Sequence, residues 1–150
     1  MGGKREANLL IVDDHQEHRL ALAKIFAKEG YPVTLAADGE EAIQLLLRGS
    51  FDLVITDLRM PKKDGLQLLK EIRQVSPRIL VILITAYGGS ESFMEAMRGG
   101  AFSYLDKPVK REDILRMVEK ALRWRKAMDE AFGPEGCPGQ ASRHGTAGWP

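Results

Sequence analysis

The sequence is poor in cysteine, in excess charge and in long apolar runs. Its single cysteine, Cys137, rules out an internal disulfide bond. The 22 Lys and Arg residues nearly balance the 21 Asp and Glu residues, so charge gives no reason to expect nucleic acid or a membrane surface as partner. No apolar run reaches the roughly 18 residues that cross a bilayer, and the polar start lacks the apolar stretch of a signal peptide. We therefore expect a cytoplasmic protein.

The length and composition predict one globular domain with short extensions. The chain has 150 residues, of which 44% are apolar and 29% are charged, and this is the profile of a folded domain with a single core. We predict an N-terminal extension over 1–7, the domain over 8–125, and an extension of the last helix over 126–132. Gly, Pro and small polar residues dominate 133–150, which predicts a disordered tail or linker.

Five short apolar segments alternate with stretches of helical periodicity. The apolar segments are Leu9–Val12, Val33–Ala36, Leu53–Thr56, Ile79–Ile84 and Ser103–Leu105. The first, third and fourth are apolar at consecutive positions, which is typical of parallel strands covered on both faces. A strand followed by a helix five times predicts an α/β protein with a parallel sheet between helices.

The predicted helices each carry an apolar stripe. The stripes are Leu22, Ile25 and Phe26; Ala42, Leu45 and Leu46; Leu68, Leu69, Ile72 and Val75; Phe93, Ala96 and Met97; and Ile114, Leu115, Val118 and Leu122. The fifth helix also has a seven-residue rhythm formed by Met117, Ala121, Trp124, Met128 and Ala131. This rhythm leaves two interpretations open, a stripe that faces the core or a surface that dimerises or leads to an effector.

Charged and hydroxyl side chains follow four of the five predicted strands. Asp13 and Asp14 follow the first strand, Asp57 the third, Thr85 ends the fourth, and Lys107 follows the fifth. In parallel sheets these ends meet at one edge. Three neighbouring carboxylates repel one another unless a cation lies among them, and oxygen ligands suit Mg²⁺. One carboxylate could then accept a phosphoryl group, whose oxygens the lysine and the hydroxyl would bond.

Each of these residues has a simpler interpretation when it is taken alone. An aspartate after a strand is usually a turn former or a helix cap. Lys107 alone would be a solvated surface lysine, and Thr85 alone would be the last residue of a strand. Their joint placement at four strand ends is what favours a common site.

Four longer motifs make the chain resemble response-regulator receiver domains. They are "LLIVDDH" (Leu9–His15), "DLVITDLRMPKKDGLQLL" (Asp52–Leu69), "VILITAYG" (Val81–Gly88) and "GAFSYLDKPV" (Gly100–Val109). The resemblance covers about residues 8 to 125. It implies a flavodoxin-like (βα)5 fold, a three-layer sandwich with strand order 2-1-3-4-5.

The resemblance also implies roles for individual residues. Asp57 would be the phosphoacceptor, and Mg²⁺ would be bound by Asp13, Asp14, Asp57 and the backbone carbonyl of Arg59. Lys107 would contact the phosphoryl group, Thr85 would supply the switch hydroxyl, and Tyr104 would change rotamer with it. The peptide bond between Lys107 and Pro108 would be cis.

The function implied is that of a switch in a two-component pathway of the bacterial type. A sensor histidine kinase or a phosphotransfer protein would phosphorylate the domain and change the surface of helix 4, strand 5 and helix 5. That surface would control an effector domain or partner absent from this chain, or dimerisation, with no direct binding of nucleic acid or membrane. The domain would not be an enzyme, apart from Mg²⁺-dependent self-phosphorylation and autodephosphorylation. The residues of these motifs most resemble those in receiver domains of transcription activators that work with the alternative sigma factor 54.

Two other functions remain open from the sequence. A phosphohydrolase of the haloacid-dehalogenase type also uses an aspartyl nucleophile, but it carries that residue after the first strand. A receiver that acts without phosphorylation is the second alternative. Two local departures from the family pattern stand out: Lys63 replaces a common apolar residue and suggests a more solvated loop, and Lys110 stands near the start of the fifth helix in place of a good capping residue. His15 and His18 are expected to be solvated surface residues.

Overall fold

A computed structural model describes residues 6–86 and 88–133. The strands are β1 (Leu9–Val12), β2 (Val33–Ala36), β3 (Leu53–Asp57), β4 (Leu80–Thr85) and β5 (Ser103–Asp106). The helices are α1 (Gln16–Lys28), α2 (Gly39–Arg48), α3 (Gly65–Val75), α4 (Ser90–Arg98) and α5 (Arg111–Phe132). The predicted tail beyond Gly133, with Cys137, lies outside the described residues.

The five strands form one parallel sheet in the order β2-β1-β3-β4-β5. The predicted fold class and strand order are therefore confirmed. β3 lies in the middle of the sheet, and its neighbours are β1 and β4. All five strands end at the same edge of the sheet, because every pairing is parallel.

Alternate residues of each central strand face two separate apolar cores. In β1, Leu10 and Val12 belong to one core, while Leu9 and Ile11 belong to the other. The first core is closed by α2, α3 and α4, and the second by α1 and α5. This two-sided burial is the reason that the central strands are apolar at consecutive positions.

Two residues of the predicted apolar stripes lie at the surface. Val75 is 36% exposed at the end of α3, and Phe93 is 44% exposed on α4. Their neighbours Ile72 and Ala96 are buried in the first core. The stripes therefore predict the helices correctly but overestimate how many of the stripe residues are buried.

Local signals in the sequence fix where α3 begins. The Asp64 side chain accepts a hydrogen bond from the backbone N–H of Gln67, and the Gln67 side chain accepts one from the N–H of Asp64. This reciprocal capping box satisfies two backbone donors at the helix start. The next residue, Gly65, donates its N–H to the Leu58 carbonyl at 2.8 Å, so α3 starts directly against the loop that follows Asp57.

The last turns of α5 are attached to the body of the domain. The Arg78 guanidinium donates to both carboxylate oxygens of Asp129, at 2.8 and 2.9 Å. This hydrogen bond lowers the pKa of Asp129 below its usual range. Arg125 donates to the Asp52 carbonyl at 3.0 Å. These contacts bind α5 near the starts of β3 and β4.

The seven-residue rhythm of α5 mostly faces the domain itself. Met117, Ala121 and Trp124 all belong to or pack against the second core, and the Trp124 ring lies 5.9 Å from that of Phe102. The core-facing interpretation is confirmed for these three residues. Within residues 6–86 and 88–133, no helix has the length and apolar character needed to span a bilayer.

Candidate functional site

The carboxyl ends of β1 and β3 bring Asp13 and Asp57 together. Val12 is paired with Thr56, so the residues that follow them are neighbours at the sheet edge. Both aspartates are nearly inaccessible to solvent, with exposures of 2% for Asp13 and 7% for Asp57. Two buried carboxylates side by side require positive charge or hydrogen-bond donors nearby.

Asp14 and His15 complete a compact group of ligand atoms with these two aspartates. One atom from each of Asp13, Asp14, His15 and Asp57 lies within 4.8 Å of the others. One oxygen of Asp14 is buried and accepts no hydrogen bond within the described part of the chain. This oxygen lies 3.4 Å from Nδ1 of His15 without a hydrogen bond. A buried oxygen of this kind, beside two further carboxylates, fits a hard divalent cation such as Mg²⁺.

Lys107 supplies the ammonium group of the site. Its Nζ lies 3.0 Å from Oδ2 of Asp57 and 3.5 Å from Oδ2 of Asp13. Its backbone N–H donates to the Thr85 carbonyl at 2.8 Å, which ties the lysine to the end of β4. The peptide bond between Lys107 and Pro108 is cis. The other oxygen of Asp57 accepts the N–H of Arg59 at 3.3 Å.

Thr85 and Tyr104 occupy the interior next to this edge. The Thr85 side chain is fully buried. The Tyr104 hydroxyl is also buried, and it makes no hydrogen bond within residues 6–86 and 88–133. A Cβ on Gly88 would overlap that hydroxyl and would lie 2.7 Å from Cγ2 of Thr85. The Tyr104 ring therefore points inward beneath Gly88, and the Phe93 ring packs perpendicular to it.

The loop around Lys63 keeps the exposed residues Pro61 and Lys62, but the Lys63 side chain itself is held in ion pairs. The side chain is only 19% exposed, and its ammonium contacts Glu71 at 2.7 Å and Glu40 at 3.2 Å. The hydrogen bond to Glu71 is the main reason that the pKa of Lys63 is raised. The side chain crosses Gly39, where a Cβ would lie 2.9 Å from its Cδ. Lys63 thus connects the loop after β3 to α2 and α3.

Three contacts at the site were not predicted from the sequence. Arg19 donates to the Asp13 carbonyl at 2.6 Å, and the N–H of His15 donates to Oδ1 of Asp13 at 2.8 Å. His18 lies with its Nδ1 3.3 Å from the Lys107 ammonium. His15 and His18 are exposed, as expected, but they border the carboxylate pocket, which is formed by Asp13, Asp14 and Asp57. In the sequence, only the closeness of the two histidines to Asp13, at the start of α1, could have indicated that they lie beside the carboxylates.

Comparisons with known proteins agree with this geometry. The sequence model of a family described as the response regulator receiver domain matches residues 9–119. The transcriptional regulatory protein GlrR of Escherichia coli (strain K12) is 38% identical over 133 residues, covering 83% of this chain and 30% of GlrR. The regulatory protein AtoC of the same strain is 40% identical over 115 residues, covering 77% of this chain and 25% of AtoC.

Solved structures show the same fold. A receiver domain protein from Clostridium thermocellum has a TM-score of 0.77 and 31% identity, covering 81% of this chain and 98% of that domain. A CheY-like receiver domain protein from Methanospirillum hungatei JF-1 has a TM-score of 0.80 and 28% identity, covering 82% and 98%. The chain thus spans nearly all of these two domains but at most 30% of GlrR and AtoC. The phosphohydrolase alternative gains no support from these matches.

Proposed function

Because the chain belongs to the family of response-regulator receiver domains, we propose that it accepts a phosphoryl group on Asp57 from a sensor histidine kinase or a phosphotransfer protein. The position of the Asp57 carboxylate is the observation that carries this proposal. It ends the central strand, is 7% exposed, and lies 3.0 Å from the Lys107 ammonium. This is a carboxylate held in place beside a positive charge at the edge of the sheet where the strands end.

The surrounding residues suit the transfer step. An oxygen of Asp57 would form the bond to phosphorus, while the bond from phosphorus to the donor nitrogen breaks and the nitrogen keeps the electron pair. Lys107 would bond a phosphoryl oxygen and stabilise the charge that accumulates there. Asp13, Asp14 and Asp57, with the carbonyl of Arg59, would hold Mg²⁺, which when bound neutralises charge on the phosphoryl oxygens.

Phosphorylation would then act on Thr85 and Tyr104. A phosphoryl group adds roughly −1.5 to −2 charges and three acceptor oxygens, and these would attract the buried Thr85 hydroxyl. The Tyr104 ring touches the same space beneath Gly88, so its inward and outward positions would depend on Thr85. Moving the equilibrium from about 1:99 to 99:1 requires about 5.5 kcal/mol, which a few charge-assisted hydrogen bonds of roughly 1.5–3 kcal/mol each can supply.

The output of the switch would be the surface of α4, β5 and α5. We propose that this surface controls an effector domain or partner outside this chain, or formation of a homodimer, and that the domain binds neither nucleic acid nor membrane directly. Relatives named as transcriptional regulators support an output in transcription, and activators that work with sigma factor 54 remain our proposed subfamily. Self-phosphorylation, autodephosphorylation and a cytoplasmic location belong to the same proposal.

Phosphorylation by a small-molecule donor tests the assignment of Asp57. We expect acetyl phosphate with Mg²⁺ to add one phosphoryl group per chain, measured by intact mass, and to add none to Asp57→Asn. Asp106→Asn is the matched control, because Asp106 ends the neighbouring strand β5 and is exposed. It should be phosphorylated like the wild type. Equal labelling of Asp57→Asn would show that another residue is the acceptor.

A further inference from the structure

Two histidines beside the carboxylate pocket have no role in the proposed phosphorylation. His15 directly precedes α1, and His18 lies in its first turn. Residues three apart lie on the same face of a helix, and the two imidazole rings are 5.0 Å apart between centroids. The side chains are 64% and 52% exposed, so both rings are accessible from solvent.

Both imidazoles have a nitrogen within 4 Å of the same buried carboxylate, that of Asp13, although Nδ1 of His15 lies closer still, at 3.4 Å, to Oδ1 of Asp14. Nδ1 of His15 lies 3.7 Å from Oδ1 of Asp13, and Nδ1 of His18 lies 3.8 Å from Oδ2 of Asp13. One ligand atom from each of the three residues lies within 4.8 Å of the other two. Ligands of a tetrahedral metal with bonds of about 2.0–2.1 Å are roughly 3.4 Å apart. The separations of 3.7 and 3.8 Å exceed this value and involve different oxygens of Asp13, so metal binding would require the exposed rings to rotate.

The position of Asp13 is fixed before any metal binds. Its Oδ1 accepts the backbone N–H of His15 at 2.8 Å, and its carbonyl accepts a hydrogen bond from Arg19 at 2.6 Å. The carboxylates of Asp13, Asp14 and Asp57 outnumber the Lys107 ammonium and the Arg19 guanidinium, which leaves an excess of one negative charge. This excess favours the binding of a cation.

We propose that Asp13, His15 and His18 form a site for a divalent transition metal such as Zn²⁺. Imidazole nitrogen is a preferred ligand of Zn²⁺, Ni²⁺ and Cu²⁺, whereas Mg²⁺ prefers oxygen and keeps its water. The two histidines therefore add a metal selectivity that the carboxylates alone do not have. Solvent would complete the coordination shell, because both rings lie at the surface.

Occupation of this site would oppose phosphorylation, and this part of the inference rests on the proposed function. The Lys107 ammonium lies 3.3 Å from Nδ1 of His18 and 3.5 Å from Oδ2 of Asp13, so it occupies the space next to the metal ligands. A bound Zn²⁺ would repel it. The metal would also take Asp13, which is a proposed ligand of Mg²⁺. Zn²⁺ would therefore antagonise the Mg²⁺-dependent reaction.

Direct binding of Zn²⁺ tests the site without any phosphorylation. We expect one Zn²⁺ per chain in competition with a chromophoric chelator, and at least a tenfold loss of affinity in the double variant His15→Gln, His18→Gln. His144→Gln is the control, because it removes the third histidine of the sequence. Unchanged affinity of the double variant, or an equal loss in the control, would overturn the site.

A titration of the wild-type chain avoids any effect of the variants on folding. We expect Zn²⁺ to shift the imidazole NMR signals of His15 and His18 and to leave those of His144 in place. If the signals of His15 and His18 do not shift when Zn²⁺ is added, the proposal is wrong.

The effect on phosphorylation is measured separately. The double variant should show a Zn²⁺ concentration for half-inhibition at least tenfold higher than the wild type, each compared with its own rate in Mg²⁺ alone. Equal sensitivity of both chains would overturn the antagonism. If the wild type takes up no phosphoryl group in Mg²⁺ alone, the proposed function fails, while the two binding measurements still decide the metal site.

Discussion

Gly65→Ala tests how closely α3 approaches the phosphoacceptor loop. A Cβ at this position would lie 2.6 Å from the Asp57 carbonyl oxygen, 2.9 Å from Cα of Leu58 and 2.8 Å from Cδ2 of Leu83. Carbon atoms in contact are normally about 3.5–4.0 Å apart, so the Leu58 contact is short by roughly 0.6 Å or more. Two of the three obstructing atoms are backbone atoms and cannot rotate away.

The expected cost follows from these contacts. Overpacking a core costs about 1–3 kcal/mol, and the backbone obstacles place this case near the upper end. Alanine recovers about 0.4–1 kcal/mol through the lower entropy of the unfolded chain. We therefore expect a net loss of about 2 kcal/mol in the free energy of unfolding. The phosphorylation rate should also fall, because the strain falls on the carbonyl of Asp57.

Urea unfolding followed by circular dichroism measures the loss of stability. Gly89→Ser is the matched control, because nothing lies within 4 Å of a Cβ at Gly89. Gly89 is also the N-cap of α4, a position that serine favours. The control should remain within about 0.5 kcal/mol of the wild type. If Gly65→Ala is equally neutral, α3 can move away from β3 at no cost and the reasoning fails.

Two further predictions concern the switch and α5. Gly88→Ala should turn the Tyr104 ring outward, because the new Cβ would overlap the Tyr104 hydroxyl. The variant should then lose the NMR contact between the rings of Tyr104 and Phe93. A contact that persists in the variant would contradict the prediction. Asp129→Asn should cost about 0.5–1 kcal/mol at pH 7. Because Arg78 lowers the pKa of Asp129, the wild type's advantage should be complete above that group's ordinary pKa and disappear as the pH falls through its lowered value. A constant difference in urea unfolding from pH 7 to pH 2 would contradict the ion pair.

The alternation of strands and helices was predictable because burial leaves a direct record in the sequence. β1, β3 and β4 are apolar at consecutive positions since both faces of the sheet are covered. Strand order was not predictable from periodicity, which records burial but not neighbours, and it came from the resemblance. The meeting of Asp13 and Asp57 followed from the rule that parallel strands end at one edge.

Contacts between charged residues far apart in the sequence could not be predicted. The ion pair of Arg78 and Asp129 joins residues 51 positions apart, and charged residues of this kind look like solvated surface in any sequence. The burial of Lys63 depends on Gly39, which leaves room for its stem, and on two glutamates from different helices. Such placements depend on side-chain geometry in the folded domain, which composition and periodicity do not encode.

The attachment of α5 determines where the chain leaves the domain. α5 has 22 residues and at about 1.5 Å per residue is roughly 33 Å long. It begins four residues after Lys107. Its last turns are bound through Asp129 to Arg78, which lies just before the start of β4. Gly133, which follows α5, therefore lies near the amino ends of the strands, opposite the carboxylates. Under the proposed function, a change that starts at Asp57 and reaches Gly133 would have to extend from the carboxyl ends of the strands to their amino ends, and α5 is continuous over that distance.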